Sequence, residues 1–501
     1  MTLIGPQARV ARCLEAAGEG ITVATVSAPA RPAASVLAAL GPHGGSSALA
    51  WLPPEGIQLV GLGVAASVQG VLGTPALAGR AAELLRSIRT VDSGQEALAA
   101  PRLIGGFAFG RRRTLAAPWE HFGPGLLVLP RWTYAREESR AWLSLAVRGP
   151  LTSPERGRAL AELAALLAAL EPLPSLSSES HQATGEEIEA GVQREAAVCE
   201  AHETDAGAVE WAERIAAIGR AIEGGAVEKV VAARCEQQPL PGHVQPALVL
   251  RRLARRFGSC TAFSLEIEGA VFLGATPERL LRVSGREVTT EALAGSAPPA
   301  RAAGLLESSK ELQEHAFVRD DIVARLAPLC DEVRQGDLEL RMLPNIAHLR
   351  TGIRATARKD AGVLDLLAAL HPTPAVGGVP REAALRWIEE HEPLERGWYA
   401  GPFGWLDAEG DGEFVVALRS AMLRDGKAWL YAGAGIVRGS DPSAEWAETA
   451  AKLEPMRRSL AAAAGVSGEA GAGETATLAK RPWHAAATRE GSMTRHGGGH
   501  E

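Results

Sequence analysis

Two glutamates late in the chain have the spacing of a cation site. They lie in Gly439-Ser440-Asp441-Pro442-Ser443-Ala444-Glu445-Trp446-Ala447-Glu448-Thr449-Ala450-Ala451-Lys452. Asp441 followed by Pro442 reads as an N-cap with proline at the first helical position, so a helix begins there. On that helix Glu445 and Glu448 share a face, with Lys452 one turn further on. Two carboxylates on the first turns, just after the glycine-rich YAGAGIVRGS (431–440), suit a hard cation. Mg²⁺ fits because it takes few protein carboxylates and keeps water or substrate oxygens in its other positions. A solvated helix face has the same spacing, and the pair alone does not separate the two readings.

Other blocks of the C-terminal half bear on the choice: EKVVAAR (228–234), FLGATPERLL (272–281), ALAGS (292–296), LHPTPAVGGVPR (370–381) and GPFGWLDAEGDGEFVVALRSA (401–421), ahead of YAGAGIVRGSDPSAEWAETAAK (431–452). In this order, over roughly residues 205 to 455, they resemble the chorismate-utilising enzymes, which include isochorismate, anthranilate, aminodeoxychorismate and salicylate synthases. The chain is most similar to the isochorismate synthases because of His371-Pro372-Thr373-Pro374-Ala375-Val376-Gly377-Gly378. Anthranilate synthases have an HPxGTxxGAPK-like segment there, and salicylate synthases a different one. Leu293-Ala294-Gly295-Ser296 has alanine where aminodeoxychorismate synthases carry a lysine nucleophile, so a covalent route through that lysine is closed.

The resemblance implies an activity: Mg²⁺-dependent interconversion of chorismate and isochorismate, with water added at C2 and the C4 hydroxyl lost. Such a reaction needs a base beside the water and an acid beside the leaving group. Lys229 matches the family's water-activating lysine; to work near neutral pH it needs a depressed pKa, through burial or a neighbouring cation. Glu278 matches the general acid and needs a raised one. The implied metal ligands are Glu314, in KELQEH (310–315), and Glu448, with Glu445 direct or through water; Lys452 compensates their charge or sits in the outer shell. Read by itself, Glu314 is an ordinary surface glutamate paired to Lys310 one turn back. Arg419 and Tyr399 match the pair that grips the pyruvyl carboxylate, a task suited to arginine's fork. Gly433 and Gly435 let backbone amides approach the substrate, and Ala294 and Gly295 fall in the same substrate region. His371 matches a histidine near the ring, although a buried structural histidine is equally open.

The elements that must position these residues form a mixed α/β fold, by resemblance two large packed β-sheets with helices outside. Residues 1–170 mix helices and short strands and form a divergent N-terminal part. In it 153–170 reads as a helix, while GGFAFG (105–110) reads as a tightly packed strand rather than a phosphate loop, since no Lys-Ser/Thr follows. Residues 171–185 read as a linker or exposed loop, 186–460 as the catalytic region and 461–501 as a disordered tail. Four strands at 261–268, 270–274, 279–284 and 287–293 suggest an antiparallel meander. One helix is expected over 302–330, and strands over 413–423 and 428–437 joined by a hairpin turn.

Composition sets the outer bounds. The 501 residues are 46% hydrophobic and 22% charged, with a net charge of −7, which disfavours a nucleic-acid partner. Five scattered cysteines without CxxC spacing suggest neither a zinc site nor a disulfide framework. With no apolar run of membrane length and no signal-peptide pattern, a cytoplasmic enzyme is expected. Chorismate is its expected partner, with no amidotransferase subunit, as a monomer or homodimer. The PWEHFGPGLLVLPRW segment (118–132) resembles menaquinone-type more than siderophore-type enzymes. A salicylate synthase, an anthranilate-type enzyme and a catalytically silent binding module are the alternatives.

Overall fold

The computed structural model describes residues 5–41, 47–91, 100–172, 205–240, 244–342 and 347–469. Most of the expected linker, from residue 173 on, lies outside them, as does everything after Glu469. Local chemistry sets the elements in the expected places. Ser153–Leu170 is helical and starts at a capping box, in which the Thr152 N–H donates to Glu155 Oε2 at 2.7 Å. Its Ala159, Leu163, Leu166 and Leu170 are buried at helical spacing. Asp425 and Gly426 both have positive φ (47° and 68°), the pattern of a two-residue type I′ turn, between strands Ser420–Arg424 and Lys427–Ile436.

The fold is mixed α/β, and the nineteen strands of the described residues join one mostly antiparallel hydrogen-bonded network. Alternate residues along a strand enter different apolar cores, as the two-residue period demands: Phe272 goes to one, Val271 and Leu273 to the other. Helices Ala33–Leu40, Ser153–Leu170 and Pro246–Arg256 pack on the second core. The first holds an aromatic cluster with Phe263 stacked on Phe403 at 4.8 Å and Trp119 edge-on to Phe272 at 5.1 Å. The N-terminal residues share the sheet with the rest: Ala48–Leu52 pairs with Thr261–Ile267, and Arg102–Phe107 with Pro402–Asp407. Among the described residues, no helix is long and apolar enough to cross a membrane.

Four expectations are corrected. The meander is two hairpins, because Ala270–Thr276 pairs with Ser420–Arg424 and Arg279–Ser284 pairs with Gly412–Val416 instead of with each other. Pro277, which has no N–H to donate, interrupts the first chain. The expected 413–423 strand breaks opposite it, at 417–419. The long 302–330 helix is a 3₁₀ segment, Pro299–Leu306, followed by helix Ser309–Leu326. Ser308 starts the latter as N-cap, its hydroxyl accepting from the Glu311 N–H at 3.3 Å. Finally, the C-terminal helix runs from Pro442 to Glu469, past residue 461, because Ala461–Ala464 are strong helix formers and Leu460 and Ala463 are buried in the second core.

Candidate active site

The paired breaks at 277–278 and 417–419 build one wall of a pocket lined by Glu278 and Arg419. Two hydrogen bonds hold the breaks together, Ala275 N–H to the Arg419 carbonyl (3.3 Å) and Val416 N–H to the Glu278 carbonyl (3.1 Å). Arg419 has left-handed backbone, φ 49°, a strained state for a side chain with a Cβ and one that clusters at functional sites. Its side chain is half-buried, burial lowers its pKa, and the buried Nη1 has no hydrogen-bond partner. A desolvated, unsatisfied cation of this kind calls for an anion.

Tyr399 lines the same pocket, its ring stacked on that of Tyr431 at 5.3 Å. A Cβ on Gly433 would lie 3.1 Å from the Tyr399 hydroxyl, so glycine keeps that approach open. Tyr431 is fixed in turn by Trp119 Nε1, which donates to its hydroxyl at 3.1 Å.

Lys229 opens the strand Lys229–Pro239 and is 1% exposed. It lies behind Gly435 and Glu314, both of which line the pocket. Its Nζ donates to Glu314 Oε1 at 2.8 Å. A Cβ on Gly435 would come within 2.8 Å of Lys229 Cε and 2.9 Å of Glu314 Oε1, so this glycine makes room for the pair. Glu314 is pulled two ways: burial raises its pKa, but the charge and hydrogen bond of Lys229 outweigh that and hold it below the ordinary value. The partner is therefore Lys229 rather than Lys310, and Glu314 is not a surface residue.

Glu278 has the opposite balance. Burial first, then the charge of Glu291, push its carboxyl up to about 8 against the pull of Lys229, Lys452 and Arg341. It is protonated near neutral pH and can donate a proton.

Two helices each bring an ExxE pair to the pocket, Glu311 and Glu314 on Ser309–Leu326 and Glu445 and Glu448 on the C-terminal helix. The latter starts as expected, with the Ala444 N–H donating to Asp441 Oδ2 at 2.8 Å. Burial, then the charge of Glu314, raise Glu311; burial, then Glu448, raise Glu445. Four hard oxygen donors that repel one another suit a divalent cation such as Mg²⁺. Among the described residues no three acidic, histidine or cysteine side chains are already gathered as a metal cluster. Instead Glu448 pairs with Lys452 at 2.6 Å and Glu445 with Lys310 at 3.7 Å. Lys452 also donates to the Gly433 carbonyl at 2.9 Å.

Of the remaining expected residues, Ala294 and Gly295 line the pocket and His371 does not. His371 Nε2 meets the Phe109 carbonyl at 3.2 Å, its ring lies edge-on to Phe109 at 5.9 Å, and burial pushes its pKa down to about 3. It packs outside the lining, with its Nδ1 buried and without a hydrogen-bond partner. Sequence reasoning missed Glu311, Lys310, Ser296 and His348, all in the lining. Glu311 was discoverable, since its spacing to Glu314 repeats that of Glu445 to Glu448. His348 carries no such signal; it sits in the strand Ala347–Ala357, its Nδ1 3.0 Å from Ser296 Oγ.

The family model described as chorismate binding enzyme matches residues 9–461. The chain is 37% identical over 384 residues to the salicylate biosynthesis isochorismate synthase of Pseudomonas aeruginosa, covering 75% of this chain and 77% of that protein. It is 34% identical over 375 residues to the isochorismate synthase MenF of Bacillus subtilis, covering 73% and 76%. Among solved structures it is similar to MenF, the menaquinone-specific isochorismate synthase from Escherichia coli. That match has a TM-score of 0.71 at 30% identity and covers 91% of this chain and 99% of the other.

Proposed function

Because the chain belongs to the chorismate-binding enzymes, we propose that it is an isochorismate synthase, an isomerase that adds water at one ring carbon of chorismate and releases a hydroxyl from another. The observation that carries this reading is Glu278, a pocket carboxyl whose pKa is pushed up to about 8, with Lys229 set just behind the lining of the same pocket at Gly435 and Glu314. Lys229, as the free amine once it has given up its own proton and its ion pair with Glu314, takes a proton from the incoming water, and Glu278 gives one to the departing hydroxyl. Arg419 and Tyr399 hold the pyruvyl carboxylate, the guanidinium through its unpartnered Nη1. Backbone at Gly433 and Gly435 closes around the substrate. Ala294 offers no amine for a covalent intermediate.

Glu314 and Glu448 would hold Mg²⁺, with Glu445 direct or through water and Glu311 beside them. When bound, the cation would neutralise the ring carboxylate of chorismate and compete with Lys229 for Glu314. Lys452 offsets the carboxylate charge through Glu448.

The product test uses purified protein with chorismate and Mg²⁺, without ammonia, analysed by liquid chromatography with and without EDTA. A reversible mixture of chorismate and isochorismate, lost with EDTA, is expected. Salicylate and pyruvate would make it a salicylate synthase, turnover dependent on ammonia an anthranilate-type enzyme, and no turnover a silent relative. For the route served, menaquinone synthesis is favoured by the match to the menaquinone-specific enzyme, at a TM-score of 0.71 over 91% of this chain, above the 0.61 over 85% for the 2,3-dihydroxybenzoate-specific synthase of Bacillus anthracis. The name of the Pseudomonas relative supports a second reading, supply of isochorismate for salicylate. Menaquinone depletion after gene deletion is the outcome that separates them. A location in the cytoplasm and a monomeric or dimeric state complete the proposal; fractionation and sedimentation test them.

A further inference from the structure

Behind Glu278 lies a buried charge cluster that does not line the pocket. Glu291, on the strand Glu287–Ala297, is 7% exposed and has both carboxylate oxygens engaged. Oε1 accepts from Arg341 Nη1 at 2.8 Å and from the backbone N–H of Arg279 at 3.4 Å, and Oε2 accepts from Arg350 Nε at 2.6 Å. Arg279 is the residue after Glu278, at the register shift in the Arg279–Ser284 strand. Its side chain is tied separately, Nε donating to Glu413 Oε1 at 2.9 Å. A carboxylate gripped by two arginines has a fixed place, and here it also holds the main chain one residue from Glu278.

We propose that Glu291, clamped by Arg341 and Arg350, is a positioning residue for Glu278: it tethers the chain break that presents the acid and supplies the negative charge behind it. This rests on the reading of Glu278 as the general acid. A surface ion pair would do neither job, because water would screen it. The charged groups that act most on Glu278 are Glu291 from the strand Glu287–Ala297, Lys229 from the Lys229–Pro239 strand, Lys452 from the C-terminal helix and Arg341 from the strand Cys330–Met342, while Arg419, Lys310, His348 and the four pocket glutamates line the same cavity. The Tyr399 hydroxyl is a further neighbour. Of the groups that act most on it, only Glu291 favours the protonated carboxyl. Removing its charge should therefore make Glu278 ionise sooner, and removing Arg341 should delay it.

Infrared difference titration of the full-length protein, with the E278Q spectrum subtracted, reads the protonated Glu278 carboxyl without requiring turnover. In E291Q the titration midpoint is expected to fall by roughly one pH unit, whereas in R341Q it is expected to rise. A midpoint unmoved in both variants, or displaced in the same direction in both, overturns the proposal. Should E291Q fail to fold, R341Q decides alone. Arg341 is 24% exposed on a strand paired on one side among the described residues, so its loss is tolerable, and an unmoved or lowered midpoint there rejects the role. Chorismate turnover measured in parallel keeps the two readings apart. An inactive wild type would sink the acid assignment while the titration still decides Glu291.

Discussion

Folding works against the charged form of the Glu278 side chain. Its folded pKa of about 8 stands above the ordinary 4.5. Between those values the native state keeps a proton that the unfolded chain releases. Stability therefore falls as pH rises from about 4.5 to about 8 and levels off beyond. Glu278→Gln removes this penalty: denaturant titrations should show the variant matching wild type in acid and exceeding it by up to about 5 kcal/mol at the alkaline end. The same variant should lose turnover by about 10²-fold or more, the contribution of a positioned proton donor. Gly435→Ala should also silence the enzyme, because its methyl would fall 2.8 Å from Lys229 Cε. Its circular dichroism should stay native. A wild-type rate in either variant would remove that residue from the mechanism.

At the scale of elements, the C-terminal helix is held to the sheet from behind. Arg457 Nε donates to Glu236 Oε1 at 2.9 Å, and its Nη2 pairs with Glu236 Oε2. Arg234 lies over the Trp446 ring at 3.8 Å while its Nε donates to Thr449 Oγ1 at 2.8 Å. Breaking the Glu236–Arg457 pair by Arg457→Ala should cost about 3–5 kcal/mol, and a double-mutant cycle with Glu236→Ala should show strong non-additivity. The beginning of this helix was legible, because Asp441-Pro442 states a cap. So was Ser153–Leu170, whose Thr152 and Glu155 form a box. Ser308 and Glu311 offered the same signal and were passed over, hidden inside a long helical pattern. The pairing of Ala270–Thr276 with Ser420–Arg424 was not legible, since local periodicity does not say which distant strand a strand will meet. Pro277 hinted at the break, but its counterpart at Arg419 rests on tertiary contacts that no short window contains. For the same reason the site residues within motifs could be found and His348 could not.

For the whole molecule, a cation held between the two ExxE helices, as proposed above, would make stability depend on its concentration. Mg²⁺ at one hundred times its dissociation constant should add about 2.7 kcal/mol to unfolding, read as a rise in melting temperature that EDTA reverses and that Glu448→Gln blunts. The Trp119–Tyr431 hydrogen bond spans 312 positions, and the strand Ala48–Leu52 waits for partners as far along as Glu266. During synthesis, then, the nascent chain carries unpaired apolar strands for most of its emergence from the ribosome. No fragment ending before Lys452 can hold the pocket, because the helix bearing Glu445 and Glu448 is translated after every other part of it. High contact order of this kind makes folding slow and leaves sticky intermediates exposed. Yield in a foreign host should therefore depend on translation speed and chaperone supply more than on the stability of the finished fold.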